Sequence, residues 1–300
     1  MKPNMGSWTV IFSLVSAVFW MKPAQVQSVH VIRGDVDSFQ GYTLDMVDSA
    51  YDDQYKGCEK VMEAKIPQLF QLENKSNPDF AFAWSTAKKE WEKKKPGAVK
   101  PPGFKDEYAI AILAYTLHGP LFEVFNTAVR EAGQSKKSLG NFQFKALHYF
   151  LTNAHRVLKE HDNSKCQTVY RGIRKVQFKA VEKQHMRFGQ FASSSSNEGT
   201  ARRYGEDTFF TIKTCYGVSI KDFSFSPGEE EILIPPYEKF KVTSFSKDRD
   251  KSIIGLQSME KVSNYNCAFA TAPSTRNLSS SLQTVLFFFW GFAVVVNTFG

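Results

Sequence analysis

"SPGEEEILIPPYEKF", residues 226–240, sets three carboxylates between a Pro-Gly turn and a short apolar run closed by two prolines. A run of four to eight apolar residues bounded by turn signals reads as a buried strand. If the strand begins near Glu229, alternation sends Glu229 and Glu231 to one face and Glu230 to the other. That leaves a pair of carboxylates on one side, which is what glycosidic-bond chemistry requires: one group stabilises an oxocarbenium ion, and the other manages a proton or orients the attacking group. The plainer reading is a solvated acidic corner after a turn.

Outward from this strand, the chain divides by texture. From Asp45 to about Lys159, "CEKVMEAKIPQLF", "FAFAWSTAKKEWEKK", "DEYAIAILAYTLHGPLFEVFNTAVREAG" and "FKALHYFLTNAHRVLKE" repeat apolar residues at i, i+3 and i+4, the helical period. From about Thr168 the runs are short, β-branched and aromatic: "TVYRG", "FGQFASSS", "DTFFTIKTCYG", "EEILIPP" and "EKFKVTSF". A helical lobe followed by a largely antiparallel β lobe is an α+β domain, expected over residues 29–272.

The ends of the chain carry processing signals. Lys2 precedes "WTVIFSLVSAVFW" (residues 8–20), too short for a membrane span and suited to a secretory signal peptide over residues 1–28. Residues 273–300 hold small residues, a polar spacer and the uncharged tail "TVLFFFWGFAVVVNTFG", the pattern of a GPI-attachment signal. No Lys or Arg follows the tail to hold a transmembrane anchor, the competing reading. Cys58, Cys166, Cys215 and Cys267 lie between the two signals, an even number in an oxidising compartment, so two disulfides are expected in one of three connectivities. None shows C-x-x-C spacing, which argues against zinc. Sequons at Asn74 and Asn277 suit a glycosylated surface protein. The net charge of +8 is concentrated in "KKEWEKKKPGAVKPPGFK" (residues 88–105), read as a solvated loop after a helix. Export and the lack of a nucleic-acid-binding motif exclude a nucleic-acid partner.

Two further stretches bear on chemistry. "TVYRGIRK" (168–175) ends a β-like run in Arg171-Gly172, where an arginine suits a phosphate fork and a glycine allows a ligand close to the backbone. "RFGQFASSSSN" (187–197) runs an aromatic strand into a line of hydroxyls that can position a carboxylate or a ribose.

In this order, Arg at a strand end, then "FxSxS", then "ExE" before "ILIPP", the chain closely resembles the vertebrate arginine-specific mono-ADP-ribosyltransferases, an ecto-enzyme family with an Arg-Ser-Glu signature. "YDDQYKGC", "FKDEYAIAILAYT", "FNTAVREAG", "FKALHYFLT", "YGEDTFFTIKTC" and "SNYNC" also resemble family segments in family order. The resemblance implies a helical lobe packed on a mainly antiparallel β-sandwich core. It implies transfer of ADP-ribose from NAD, as substrate, to arginine side chains of extracellular or cell-surface proteins, with release of nicotinamide and no metal. Arg171 would hold the NAD phosphates and ribose side, and Ser193 would orient the catalytic glutamate, with Ser195 as the alternative register in the four-serine run. Glu231 would stabilise the oxocarbenium-like transition state and Glu229 would orient the acceptor guanidinium. Gly172, Tyr115, Gln190, Ser224 and Tyr204 would line or border the NAD cleft, Tyr204 standing where many relatives carry Phe. The implied disulfides are Cys58–Cys267 and Cys166–Cys215, and the implied location is the outer face of the plasma membrane on a GPI anchor, or secretion. Two readings compete: an NAD glycohydrolase using the same Glu231, and a catalytically silent surface antigen on this fold.

Overall fold

The computed structural model describes residues 40–270. The leader at 1–28, the tail at 273–300, the sequon at Asn277 and both expected domain limits lie outside the described residues. Strand β1 (Gln40–Thr43) precedes the helices α1 (Glu59–Ser76), α2 (Pro78–Lys94), α3 (Asp106–Thr116), α4 (Pro120–Glu131), α5 (Lys136–Gly140) and α6 (Lys145–Glu160). The β half follows: β2 (Gln167–Ile173), β3 (Val176–Lys179), β4 (His185–Arg187), β5 (Ala192–Ser195), α7 (Glu198–Arg203), β6 (Thr208–Thr214), β7 (Val218–Ser219), β8 (Glu231–Ile234), β9 (Glu238–Asp248) and β10 (Lys251–Lys261).

Local chemistry sets the helix ends. Asn77 accepts the Phe80 amide at 3.1 Å with Pro78 in the first turn, and Asn197 accepts the Thr200 amide at 3.1 Å to start α7. The buried carboxylate of Glu73 reaches from α1 to the start of α6, accepting the Ala146 amide at 2.9 Å. Helix α3 is buried from Tyr108 to Tyr115, apolar on every side, and so forms the centre of the helical lobe. The run read as one helical stretch over 106–133 breaks at residues 117–119, where Gly119 and Pro120 start a new helix. The basic stretch at 88–105 is helical as far as Lys94, and Lys95 and Lys100 both pair with Asp106. Asn74 is exposed near the end of α1.

Eight strands hydrogen-bond in the order β4-β9-β10-β6-β2-β5-β8-β7, and β1 pairs with β3 in a separate two-stranded sheet. In the large sheet every pairing is antiparallel except β10 with β6. The sheet must curl. Strands β4 and β5 lie five places apart, about 24 Å in a flat sheet. Residues 188–191 alone connect them, a link that spans at most about 17 Å. The alternating side chains of β8 show the result: Leu233 packs with the helices, while Ile232 and Ile234 belong to a second core with Phe210, Phe240 and Ile254. "ILI" (232–234) is a continuous apolar run because both faces of that strand are covered.

The first and last described segments are clipped together through buried aspartates. Asp52 accepts the amides of Asn264 and Tyr265, and Asp53 accepts those of Cys267 and Ala268, at 2.8 to 2.9 Å. Arg187, 1% exposed, forms an ion pair with Asp52 and donates to the carbonyls of Met46 and Val262. Disulfides join Cys58 to Cys267 and Cys166 to Cys215, the pairing implied by the resemblance.

Candidate active site

The strands β2, β5 and β8 are consecutive in the sheet, with Tyr170 opposite Ser195 and Ser195 opposite Glu231. They floor a cleft of about 440 Å³, within the range of small-molecule sites. The break between α3 and α4 forms one wall and α7 another. Arg171, Ser193, Glu229 and Glu231 all line it.

The two glutamates meet there for a reason that alternation does not supply. Strand β8 starts at Glu231, not Glu229, which instead ends a 3₁₀ turn over Pro227–Glu229. Between them Glu230 takes left-handed backbone, φ 48° and ψ 47°, and this reversal lets Glu229 and Glu231 line one cleft. A non-glycine residue pays about 1–2 kcal/mol for that conformation. Glu230 is held in it by Ser196, whose hydroxyl donates to the Glu230 carboxylate at 2.9 Å and whose amide donates to the Glu230 carbonyl at 3.2 Å.

Each hydroxyl of the four-serine run has its own partner in residues 229–232. Ser193 hydrogen-bonds the Glu231 carboxylate. Ser194 donates to the Ile232 carbonyl at 2.8 Å and Ser195 to the Glu229 carbonyl at 2.7 Å. The register thus separates the two candidate serines: Ser193 meets the carboxylate, and Ser195 shapes the turn. Glu231 is 7% exposed, and burial pushes its carboxyl up to about 7. The Ser193 hydrogen bond and the Arg171 charge oppose that rise, and the Glu229 charge adds to it.

Arg171 lies within β2 rather than at its end, opposite Phe210. One terminal nitrogen donates to the Ser193 carbonyl, while its buried Nε has no partner among the described residues. Burial lowers its pKa, and Tyr115 and Glu231 lie close enough to counter the effect. The Tyr115 hydroxyl lines the cleft, donating to the Phe191 carbonyl at 2.9 Å and accepting from Asn126 at 3.2 Å. Tyr204, 48% exposed, lines the cleft and hydrogen-bonds Glu229.

Of the expected cleft residues, Gly172 lies at the cleft and also has a packing role, while two lie elsewhere. Gly172 borders the cleft, but a Cβ there would lie 2.2 Å from the Gly205 carbonyl oxygen and 2.3 Å from that of Ala201. Glycine is needed there because α7 and its following turn pack directly on β2. Gln190 and Ser224 do not line the cleft. Ser224 is fully buried, accepting the Ser226 amide on its hydroxyl and Lys94 Nζ on its carbonyl, and Gln190 is buried ahead of β5 with its side-chain amide oxygen unpartnered among the described residues. Conversely, His118, Phe122, Glu123, Arg174 and Thr200 line the cleft without having been singled out in the sequence. The His-Gly-Pro step at 118–120, a helix-start signal, was the available cue to this wall. Among the described residues no cluster of His, Cys, Asp or Glu is arranged to hold a metal ion.

Residues 44–264 match the family model described as NAD:arginine ADP-ribosyltransferase. The chain is 43% identical over 227 residues to the erythroblast NAD(P)(+)--arginine ADP-ribosyltransferase of Gallus gallus, covering 75% of each chain. It is 40% identical over 288 residues to the GPI-linked NAD(P)(+)--arginine ADP-ribosyltransferase 1 of Mus musculus, covering 88% of each. The crystal structure of the eucaryotic mono-ADP-ribosyltransferase ART2.2 superposes with a TM-score of 0.67 at 40% identity, covering 76% of this chain and 99% of that one. A mutant of ART2.2 in complex with NAD gives the same TM-score. The fold, the arrangement of arginine, serine and glutamates in one cleft, and these similarities together place the chain in the NAD:arginine ADP-ribosyltransferase family.

Proposed function

We propose that this chain transfers ADP-ribose from NAD to arginine side chains of proteins outside the cell and releases nicotinamide. The observation that carries the reading is the pairing of Glu229 with the buried Glu231 in one cleft with Arg171, whose Nε lacks a partner among the described residues. The cationic side chains of Arg171 in β2 and Arg174 just after it suit the NAD diphosphate. The carboxylates suit the two positive charges of the reaction. As the bond from ribose C1′ to the nicotinamide nitrogen breaks, its electron pair neutralises the pyridinium and positive charge appears on the ribose. Glu231, fixed by Ser193 and desolvated, stabilises that charge where it develops. A guanidinium nitrogen then bonds to C1′ and gives up a proton, which Glu229 accepts and passes to solvent. Tyr204 steadies Glu229 by its hydrogen bond. NAD is a substrate here, and no step calls on a metal.

Residues 29–272 form the catalytic domain in this reading, with a cleaved leader at 1–28 and a GPI-attachment signal at 273–300. Support comes from the apolar runs at 8–20 and 284–300, from two disulfides, and from relatives in mouse and human that are named GPI-linked. Asn74, exposed on α1, and Asn277 are the glycosylation acceptors. The test is to incubate the chain with labelled NAD and a small guanidine acceptor. Glu231→Gln should lower nicotinamide release and labelling together, by at least about a hundredfold. Glu229→Gln should lose labelling and keep release. If the unaltered chain releases nicotinamide without labelling any guanidine, it is an NAD glycohydrolase; if it does neither, the reading fails.

A further inference from the structure

We propose that Glu123 makes the acceptor end of the cleft favour arginines that have a second positive charge beside them in the substrate protein. The inference rests on the arginine-transfer reading above and adds a substrate class to it, basic peptide segments. Glu123 stands in the first turn of α4, exposed, and lines the same cleft as Glu229. Among the described residues it has no ion-pair partner. Most other cleft charges are committed: Glu231 to Ser193, Glu229 to Tyr204 and Arg174 to the Arg203 carbonyl at 3.0 Å.

The wall that carries Glu123 is joined to the turn that carries Glu229. Thr116 Oγ1 accepts the Phe225 amide at 3.2 Å, and His118 Nε2 lies 3.4 Å from Ser226 Oγ. The helix break and the 225–229 segment therefore form one continuous rim, with Glu229 on one part of it and Glu123 on the other. A guanidinium that reaches Glu229 carries its flanking residues along this rim. An uncommitted carboxylate there repels a diphosphate and attracts a second cation. A purely structural office for Glu123 is complementing the positive end of α4, and that would alter stability without altering the choice between acceptors.

The test uses the full chain and two blocked peptides, Ala-Arg-Ala and Lys-Arg-Lys, as acceptors of labelled ADP-ribose. The unaltered chain should favour Lys-Arg-Lys by about two- to fivefold in kcat/KM at low ionic strength, the worth of one exposed charge pair. The ratio should fall toward one in about 1 M salt, where the screening length is near 3 Å. Glu123→Gln should remove most of the preference, and Glu123→Asp should keep it, with KM for NAD and acceptor-free nicotinamide release unchanged in both. A ratio near one in the unaltered chain, or one that survives in Glu123→Gln, overturns the proposal. So does a rise in KM for NAD in Glu123→Gln, which would assign the residue to NAD instead. If neither peptide is labelled while nicotinamide is released, the transfer reading itself fails, and this inference with it.

Discussion

Nicotinamide release should follow the ionisation of Glu231, and two substitutions should move its midpoint in opposite directions. The carboxyl sits at about 7 because burial disfavours its charged form, and the cleft needs that charged form to meet the ribose cation. In kcat/KM, which reports the free enzyme, the rate should rise tenfold per pH unit below the midpoint and level off above it. At pH 5.5 about 3% of the carboxylate would be ionised, roughly a thirtyfold loss from the plateau. The Ser193 hydroxyl hydrogen-bonds the charged form. A hydrogen bond to a charged group is worth about 1.5 kcal/mol, and 1.36 kcal/mol corresponds to one pH unit, so Ser193→Ala should raise the midpoint by about one. At pH 7 that variant would lose about fivefold from ionisation alone and recover that part by pH 9. Glu229→Gln removes a neighbouring negative charge and should lower the midpoint. The assay is the initial rate of nicotinamide release without acceptor, from pH 5 to 9. A flat profile, or midpoints that stay put or move the same way in both variants, refutes the assignment.

The same ionisation gives a stability prediction of definite sign. A carboxyl raised from 4.5 to about 7 binds its proton more tightly when folded, so the folded state loses stability as pH rises through that window. Glu231→Gln should therefore unfold at higher urea than the parent at pH 8, by about 3 kcal/mol, with the gain vanishing near pH 4; an equal gain at both pH values would sink the argument. Gly172→Ala should lower the melting temperature and raise KM for NAD, since two backbone carbonyls near 2.2 Å from the new carbon must shift, an overpacking cost of about 1–3 kcal/mol or more. Asp52→Asn removes the buried counter-charge of the Arg187 guanidinium and leaves only the exposed Asp48 at 3.8 Å, so the unfolding free energy from urea titration should fall by about 3–5 kcal/mol. Tyr204→Phe should lower arginine labelling several-fold and leave acceptor-free nicotinamide release unchanged; equal loss of both would move Tyr204 back to the NAD side.

The parts of this molecule legible in the sequence are those governed by local periodicity. The stretches at 58–70, 80–94 and 144–160 are helical as their spacing predicts. Strand β10 escaped because Ser252, Gly255 and Ser258 interrupt its apolar residues, and its parallel partnership with β6 depends on a contact more than forty residues away in the chain. Helix α7 is too short for any period to register. Gln190 and Ser224 illustrate a separate limit: each lies in the segment leading to a cleft residue, but the link before β5 and the turn after Phe223 bury both side chains away from the cleft. Arg171, Ser193, Glu229 and Glu231 were found through a resemblance in the order of motifs. Spacing alone would have placed the glutamates on one strand face, a correct convergence by an incorrect route.

That route matters for what the site costs. Residues 229–231 combine a left-handed glutamate, a buried carboxylate and a third negative charge within one turn. Left-handed backbone and a desolvated charge each oppose folding by one to a few kcal/mol, so this turn would not hold its shape unaided. The opposing contribution is the serine run of β5 and its end. Ser195 and Ser196 hold the backbone of Glu229 and Glu230, Ser194 ties down Ile232, and Ser193 alone is left to meet the reactive carboxylate. Four consecutive hydroxyls, which as a sequence look like a low-complexity strand end, act on four consecutive residues across a strand pair. The division of labour separates geometry from chemistry: alanine at Ser195 or Ser196 should loosen the turn and depress transfer through Glu229, whereas alanine at Ser193 should change the pH at which the NAD bond breaks.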